Sequence, residues 1–182
     1  MKNDNFSSGM VKYVGHEIRA VIMNKLEMDV RDTVLLANAE SIAVEASMVA
    51  YEGVVIAAER DAGSLRTMEE NASKFGTHNI EIIPEITVEA LEKLPTPRLA
   101  FIVAQESTIE NDIVTLLKVN PKIKFIIYTL ELDILADIKY LMKKHGVDVT
   151  EVMQIAVSKV DKNGVFVAQP APWMITGEVK EK

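Results

Sequence analysis

The sequence has no cysteine among its 182 residues. The absence of thiols excludes disulfide bonds, thiolate metal sites and a cysteine nucleophile. Three histidines lie far apart without a metal-binding spacing, so we expect no metal site. No apolar run reaches the roughly 18 residues of a transmembrane helix, and the start is too polar for a signal peptide. These absences favour a cytoplasmic protein that does not enter membranes.

Glycine is also scarce. The sequence has 8 glycines, whereas an average usage of about 7% would give roughly 13. The glycines stand at positions 9, 15, 53, 63, 76, 146, 164 and 177, and no two of them lie close together. The sequence therefore has no glycine-rich phosphate loop of the kind found in nucleotide hydrolases.

Acidic residues outnumber basic ones. The chain has 27 Asp and Glu against 20 Lys and Arg, a net charge of −7. An acidic surface disfavours binding to nucleic acid and to anionic membranes. The length and the 48% hydrophobic content predict one domain over residues 1–182, with 1–13 as a flexible N-terminal segment.

Apolar runs of strand length alternate with segments of helical periodicity along most of the chain. Strands are predicted at 33–37, 54–58, 80–83, 99–103 and 123–128. Helices are predicted at 14–26, 41–50, 61–75, 88–94, 107–119 and 131–145. Strands that are apolar throughout belong to a parallel sheet covered on both faces.

The last part of the chain has a different pattern. Two long runs typical of strands, 147–158 and 165–175, are joined by Asp161-Lys162-Asn163-Gly164, which indicates a hairpin. The predicted fold is an α/β, Rossmann-like, doubly wound and mostly parallel sheet of seven strands with a C-terminal antiparallel hairpin. Ligands of such sheets bind beyond the carboxyl ends of the strands.

A series of short motifs extends from about His16 to Gly177. They are His16-Glu17-Ile18-Arg19, Ala43-Val44-Glu45-Ala46, Ala58-Glu59-Arg60-Asp61, Asn71-Ala72-Ser73-Lys74-Phe75-Gly76-Thr77-His78-Asn79-Ile80, Thr129-Leu130-Glu131, Val157-Ser158-Lys159 and Ile175-Thr176-Gly177. With these motifs the chain resembles the decarboxylating precorrin (cobalt-precorrin) methyltransferases, the T subunit of corrinoid biosynthesis. The resemblance implies S-adenosylmethionine as the cofactor, a tetrapyrrole substrate and a homotetramer.

The resemblance also implies where the cofactor binds. In the family, a Gly-x-Gly-x-Gly turn follows the first strand, but here the turn reads Asn38-Ala39-Glu40. We interpret Glu40 as a carboxylate that complements the dipole of the next helix. Glu59, with Arg60, follows the second strand, where the family uses an acidic residue for the ribose hydroxyls. The alternative for Glu59 is a solvated carboxylate paired with Arg60.

Two further loops depart from the family pattern. After the third strand, Ile86 replaces the polar residue that serves the adenine amino group, and Thr87 could substitute for it. After the fourth strand, the family has glycines facing the macrocycle, whereas this chain has Gln105, Glu106 and Ser107. The other expected substrate residues, Thr129 and Glu131, follow the fifth strand. No catalytic residue can be assigned.

These departures leave several functions open. The first is a methyltransferase with an unusual cofactor site. The second is an inactive paralogue that keeps the fold as a tetrapyrrole-binding, scaffold or assembly protein. A nucleotide-binding module for another ligand is a third possibility, but only the predicted fold supports it.

Overall fold

The computed structural model describes Phe6 and residues 14–179. Most of the segment 1–13, which we predicted to be flexible, lies outside the described residues. Phe6 packs on Phe75, with the two ring centroids 5.1 Å apart. No described helix has the length and apolar character needed to cross a membrane.

Seven strands form one sheet in the order β3-β2-β1-β4-β5-β9-β6. The first five strands pair in parallel, while β9 runs antiparallel to both β5 and β6. The bounds are β1 Thr33–Ala37, β2 Val54–Ala58, β3 Ile80–Ile83, β4 Leu99–Val103, β5 Lys124–Thr129, β6 Asp148–Gln154 and β9 Trp173–Glu178. The order reverses between β1 and β4, so a crevice is expected beyond the carboxyl ends of these strands.

Helices cover both faces of the sheet. Their bounds are α1 His16–Leu26, α2 Glu40–Val49, α3 Ala62–Phe75, α4 Val88–Leu91, α5 Ile109–Val119 and α6 Leu132–Lys144. Two clusters of buried side chains result, one on each side of the sheet. Alternate residues of β1 divide between them: Leu35 lies in one cluster and Leu36 in the other. A strand buried on both faces must be apolar throughout, which is why the central strands were readable in the sequence.

The predicted α/β fold is confirmed. The bounds of the first four predicted strands agree with the structure, and the helices differ by one to three residues at their ends. Asp61 caps the start of α3, since its carboxylate accepts a hydrogen bond of 2.8 Å from the Ser64 N–H. Gly76 ends this helix with a left-handed φ of 68°.

The C-terminal prediction needs a correction. The predicted hairpin is present, but it pairs β7 (Ser158–Val160) with β8 (Phe166–Ala168) outside the main sheet. The first run covers β6 and only reaches the start of β7, and the second covers β8 and part of β9. The flanking strands β6 and β9 form the antiparallel edge of the sheet. Between β6 and β7 the chain leaves the sheet at Ile155, whose N–H donates to the Pro172 carbonyl. All six residues of the two hairpin strands are exposed.

Candidate cofactor and substrate site

A cleft of about 840 Å³ opens beyond the carboxyl ends of β1, β4 and β5. The turn after β1 and the first turn of α2 form one wall, and the first turn of α1 forms another. The ends of β4 and β5 form the floor, and the base of the β7–β8 hairpin adds Lys159 and Gln169. A cavity of this volume has room for a drug-sized ligand.

A much smaller cavity of about 30 Å³ adjoins the ends of β1, β2 and β3. Glu59, Ile86, Gln105 and Asp112 are among its lining residues. Asn38 lines both this cavity and the large cleft. The turn after β1 therefore separates the two spaces and contributes to each.

Asn38 gives this turn its shape. Its φ is 54°, in the left-handed region that side chains rarely adopt and that asparagine tolerates better than most residues. Its N–H donates to the Ala58 carbonyl at 3.0 Å, and its Nδ2 donates to the Val103 carbonyl at 3.2 Å. The conformation that a glycine would supply after β1 is therefore supplied by an asparagine that is bonded to both neighbouring strands.

Glu59 is held at the end of β2 by the backbone. Its side chain is buried, and Oε1 accepts hydrogen bonds of 2.9 Å from the N–H groups of Arg60 and Asp61. The Arg60 guanidinium pairs instead with Glu85 at 3.1 Å, and both of these side chains are more than half exposed. The interpretation of Glu59 as a solvated carboxylate paired with Arg60 is wrong. The carboxylate is fixed toward the small cavity.

Glu40 lies in an environment that sequence reasoning did not anticipate. Its side chain is 5% exposed, and its Oε2 has no hydrogen-bond partner among the described residues. Burial, and secondarily the negative charges of Glu59 and Asp61, raises the pKa of Glu40 from 4.5 to about 7. A carboxylate stabilised mainly by a helix dipole would have a lowered pKa. The interpretation of Glu40 as a simple dipole complement is therefore wrong.

Asp112 is a site residue that we did not predict. It lies on α5 with its side chain buried against the small cavity. Burial raises the pKa of Asp112, and a hydrogen bond from the Thr108 side chain opposes the increase. Asp112 follows Ile109 by three residues, so it lies on the same inward face of the helix. This spacing is the feature of the sequence that could have identified it.

The family can be decided by comparison with known proteins. Residues 9–177 match the family model described as the precorrin methyltransferase domain. The chain belongs to the precorrin methyltransferase family. Among curated protein sequences, none matches it significantly.

Solved structures share the fold of this precorrin methyltransferase family member. A precorrin-6Y C5,15-methyltransferase from Geobacter metallireducens is 24% identical, with a TM-score of 0.86 over 99% of this chain and 97% of that one. A precorrin-8W decarboxylase from Methanobacterium thermoautotrophicum is 19% identical, with a TM-score of 0.76 over 98% and 96%. The two likenesses cover nearly the full length of each chain.

The predicted cofactor residues fall into three groups. Asn38, Ala39 and Glu40 line the large cleft, whereas Glu59, Arg60 and Ile86 line the small cavity, which Asn38 also lines. Thr87 lines neither space. Its hydroxyl accepts a hydrogen bond of 3.2 Å from the Ala90 N–H and begins α4.

The predicted substrate residues are divided as well. Thr129 and Glu131 line the large cleft, where the Thr129 hydroxyl accepts a hydrogen bond of 3.0 Å from the Glu131 N–H. Gln105 lines the small cavity instead, among the predicted cofactor residues. Glu106 and Ser107 are exposed and line neither space. Within the described part of the chain, no group of three or more histidine and acidic side chains could hold a metal.

Proposed function

We propose that this chain is an S-adenosylmethionine-dependent, decarboxylating tetrapyrrole methyltransferase whose cofactor site uses substituted residues. Membership of the family supports methyl transfer as the activity. The names of two structural neighbours, a precorrin C5,15-methyltransferase and a precorrin decarboxylase, support a precorrin as the substrate class. The tetrapyrrole would occupy the cleft of about 840 Å³.

The left-handed turn at Asn38 carries the proposal. Loss of the family glycines would abolish cofactor binding if it changed the course of the backbone after β1. Asn38 keeps a φ of 54°, so the chain still turns sharply between β1 and α2. The sharp turn of the backbone that a glycine would give after β1 is therefore kept at Asn38.

The residues around the small cavity fit the nucleoside part of the cofactor. Glu59 presents a fixed carboxylate that suits the ribose hydroxyls, and Asp112 is an acid where Ile86 offers no polar atom. The cavity is only about 30 Å³ and must widen to admit an adenosine. The Arg60–Glu85 pair beside it is exposed, and such pairs contribute about 1 kcal/mol or less, so displacing them costs little. When bound, the cofactor supplies the methyl group.

Calorimetric titration of the protein with S-adenosylhomocysteine tests the proposal. We expect specific binding to the wild type and to Asn38→Gly, since glycine adopts the left-handed turn readily. Asn38→Val should bind much more weakly, because a β-branched residue is strained at a φ of 54°. Circular dichroism and thermal melting would verify that each variant folds. Absence of binding to the folded wild type would refute the proposal.

The inactive paralogue is the second candidate function. The small volume of the adenosine side and the carboxyl group of Glu40 in the cleft favour it. Under this alternative the protein binds a tetrapyrrole but not the cofactor. Titration with a cobalt-precorrin in the absence of cofactor would distinguish it. Retained macrocycle binding together with no S-adenosylhomocysteine binding would establish a carrier or scaffold role.

We also propose a homotetramer that assembles in the cytoplasm through the β7–β8 hairpin. A hairpin of two short strands is marginally stable alone in water, so a covering surface is expected. Val160, Val165, Phe166 and Val167 are each more than half exposed on it. A second copy of the chain would bury these apolar side chains, in keeping with the family resemblance. Light scattering coupled to gel filtration would give the oligomeric state.

A further inference from the structure

Two residues that line the large cleft, His16 and Glu40, each have a buried side-chain atom without a hydrogen-bond partner among the described residues: His16 Nδ1 and Glu40 Oε2. Buried polar atoms without partners are rare in folded proteins because each costs about 1–3 kcal/mol. Here the two lie on different helices, α1 and α2, and line the same cleft. Their coincidence indicates that the cleft is built to receive a ligand with hydrogen-bond donors.

The charges of the cleft favour a cationic ligand group. Among the described residues of its lining, Lys159 is the only lysine or arginine, and this ammonium already pairs with Glu17. Glu40 and Glu131 remain as acids without a cation from the described lining. A carboxylate accepts hydrogen bonds only, and a neutral histidine accepts one at its unprotonated nitrogen. An ammonium group has only donors, so it can pair with either acceptor.

We propose that Glu40, with His16 as a second acceptor, binds the ammonium group of the ligand in the cleft. This inference rests on the proposed function, under which the ammonium belongs to the methionine part of the cofactor. Glu40 then supplies a negative charge where the resemblance predicts only glycine backbone. The methionine part of the cofactor would lie in the large cleft, and the adenosine would lie toward the small cavity.

The proposal explains why a carboxyl group is tolerated in so dry a position. In the free protein, burial makes the charged form of Glu40 unfavourable, and its pKa of about 7 leaves it half protonated near neutral pH. A bound ammonium would offset that cost through a charge-assisted hydrogen bond. Among the described residues, the charged and titratable groups that act on Glu40 or line the same cleft are Glu59, Asp61, His16, Glu17, Tyr128, Glu131 and Lys159.

The test compares two ligands that share the adenosine. S-adenosylhomocysteine carries the ammonium and carboxylate, whereas 5′-methylthioadenosine lacks the whole amino-acid part. The two affinities are measured by calorimetry for the wild type and for Glu40→Gln, which keeps the shape and removes the charge. Glu70→Gln is the matched control, because it removes an exposed carboxylate on α3 that lines neither the cleft nor the small cavity.

We expect Glu40→Gln to bind S-adenosylhomocysteine at least tenfold more weakly and methylthioadenosine unchanged. Glu70→Gln should change both affinities by less than threefold. In the wild type, the affinity ratio of the two ligands should rise about tenfold between pH 6 and pH 8, as Glu40 ionises. The amine of the ligand stays mostly protonated in this range, because its own carboxylate favours the charged form. In Glu40→Gln the rise should be less than threefold.

The outcomes separate this inference from the proposed function. If both ligands bind the wild type equally, or if Glu40→Gln keeps the full preference for S-adenosylhomocysteine, the ammonium site is refuted and the cofactor proposal stands. If neither ligand binds the wild type, both proposals fail. If the ratio falls as pH rises, the ligand is recognised through its carboxylate, and the ammonium site is again refuted.

Discussion

Replacing Glu40 by glutamine should make the protein lose less stability than the wild type loses as the pH rises from 5 to 8.5. The pKa of Glu40 is raised from 4.5 to about 7 on folding, mainly by burial. The native state therefore holds a proton in a pH range where the unfolded chain has released it. Stability contributed by this group is full below pH 4.5 and is lost as the pH rises toward 7.

The magnitude follows from the two pKa values. A change from 4.5 to about 7 corresponds to at most about 3 kcal/mol between the protonated and ionised forms. Water that enters the open cleft lowers this value. The measured quantity is the free energy of unfolding of Glu40→Gln minus that of the wild type. We expect this difference to be about 1–3 kcal/mol larger at pH 8.5 than at pH 5.

Urea denaturation at pH 5 and pH 8.5, at one fixed protein concentration, measures the effect. The m-value should not change, since the substitution leaves the buried surface the same. Glu131→Gln serves as the control for the loss of one carboxylate at an exposed position. A difference between Glu40→Gln and the wild type that stays constant within about 0.5 kcal/mol from pH 5 to 8.5 would refute the assignment of Glu40 as a desolvated carboxyl.

Three further predictions concern other parts of the molecule. Arg60→Ala should bind S-adenosylhomocysteine with an affinity between that of the wild type and about fivefold higher, because the exposed pair with Glu85 no longer restricts the small cavity. Calorimetry measures this affinity, and a tenfold loss would mean that Arg60 contacts the ligand. Phe166→Lys should reduce the oligomeric state seen by light scattering, because a charge replaces an apolar side chain that is 76% exposed on the hairpin. An unchanged mass would mean that the interface lies elsewhere. Gly53→Ala should lower the free energy of unfolding by about 2–4 kcal/mol in urea titrations, because a Cβ there would lie 2.0 Å from the Asp32 carbonyl oxygen; a loss below 0.5 kcal/mol would contradict this close approach.

The fold was predictable to the extent that pairing is local or apolar patterns are continuous. Strands buried on both faces of the sheet, such as β1 and β4, can be recognised by nearly continuous apolar runs. The C-terminal runs did not reveal that they divide between two sheets. That division depends on which strands pair over long distances, and the strand propensity of a residue does not contain that information.

The site was less predictable than the fold, for physical reasons that differ between residues. Counting glycines suggested a broken turn, but the relevant property is a left-handed φ, which Asn38 also adopts. Glu59 and Glu40 were located correctly near strand and helix ends. Their burial depends on packing from other elements, so the raised pKa of Glu40 could not be inferred. Asp112 interrupts the apolar face of α5, and an acid at such a position can be recognised in the sequence as a candidate site residue.

The hydrogen bonds of Asn38 have a consequence for how a ligand would be received. Because the side chain and the backbone of Asn38 are bonded to β4 and β2, the turn is already organised in the free protein. A glycine-rich turn must lose more backbone freedom to reach the same conformation, at roughly 0.5–1 kcal/mol per residue. Binding at this turn should therefore resemble the fit of a ligand to a preformed surface. The entropy of ordering the loop is lost during folding, and little of it is left to oppose association.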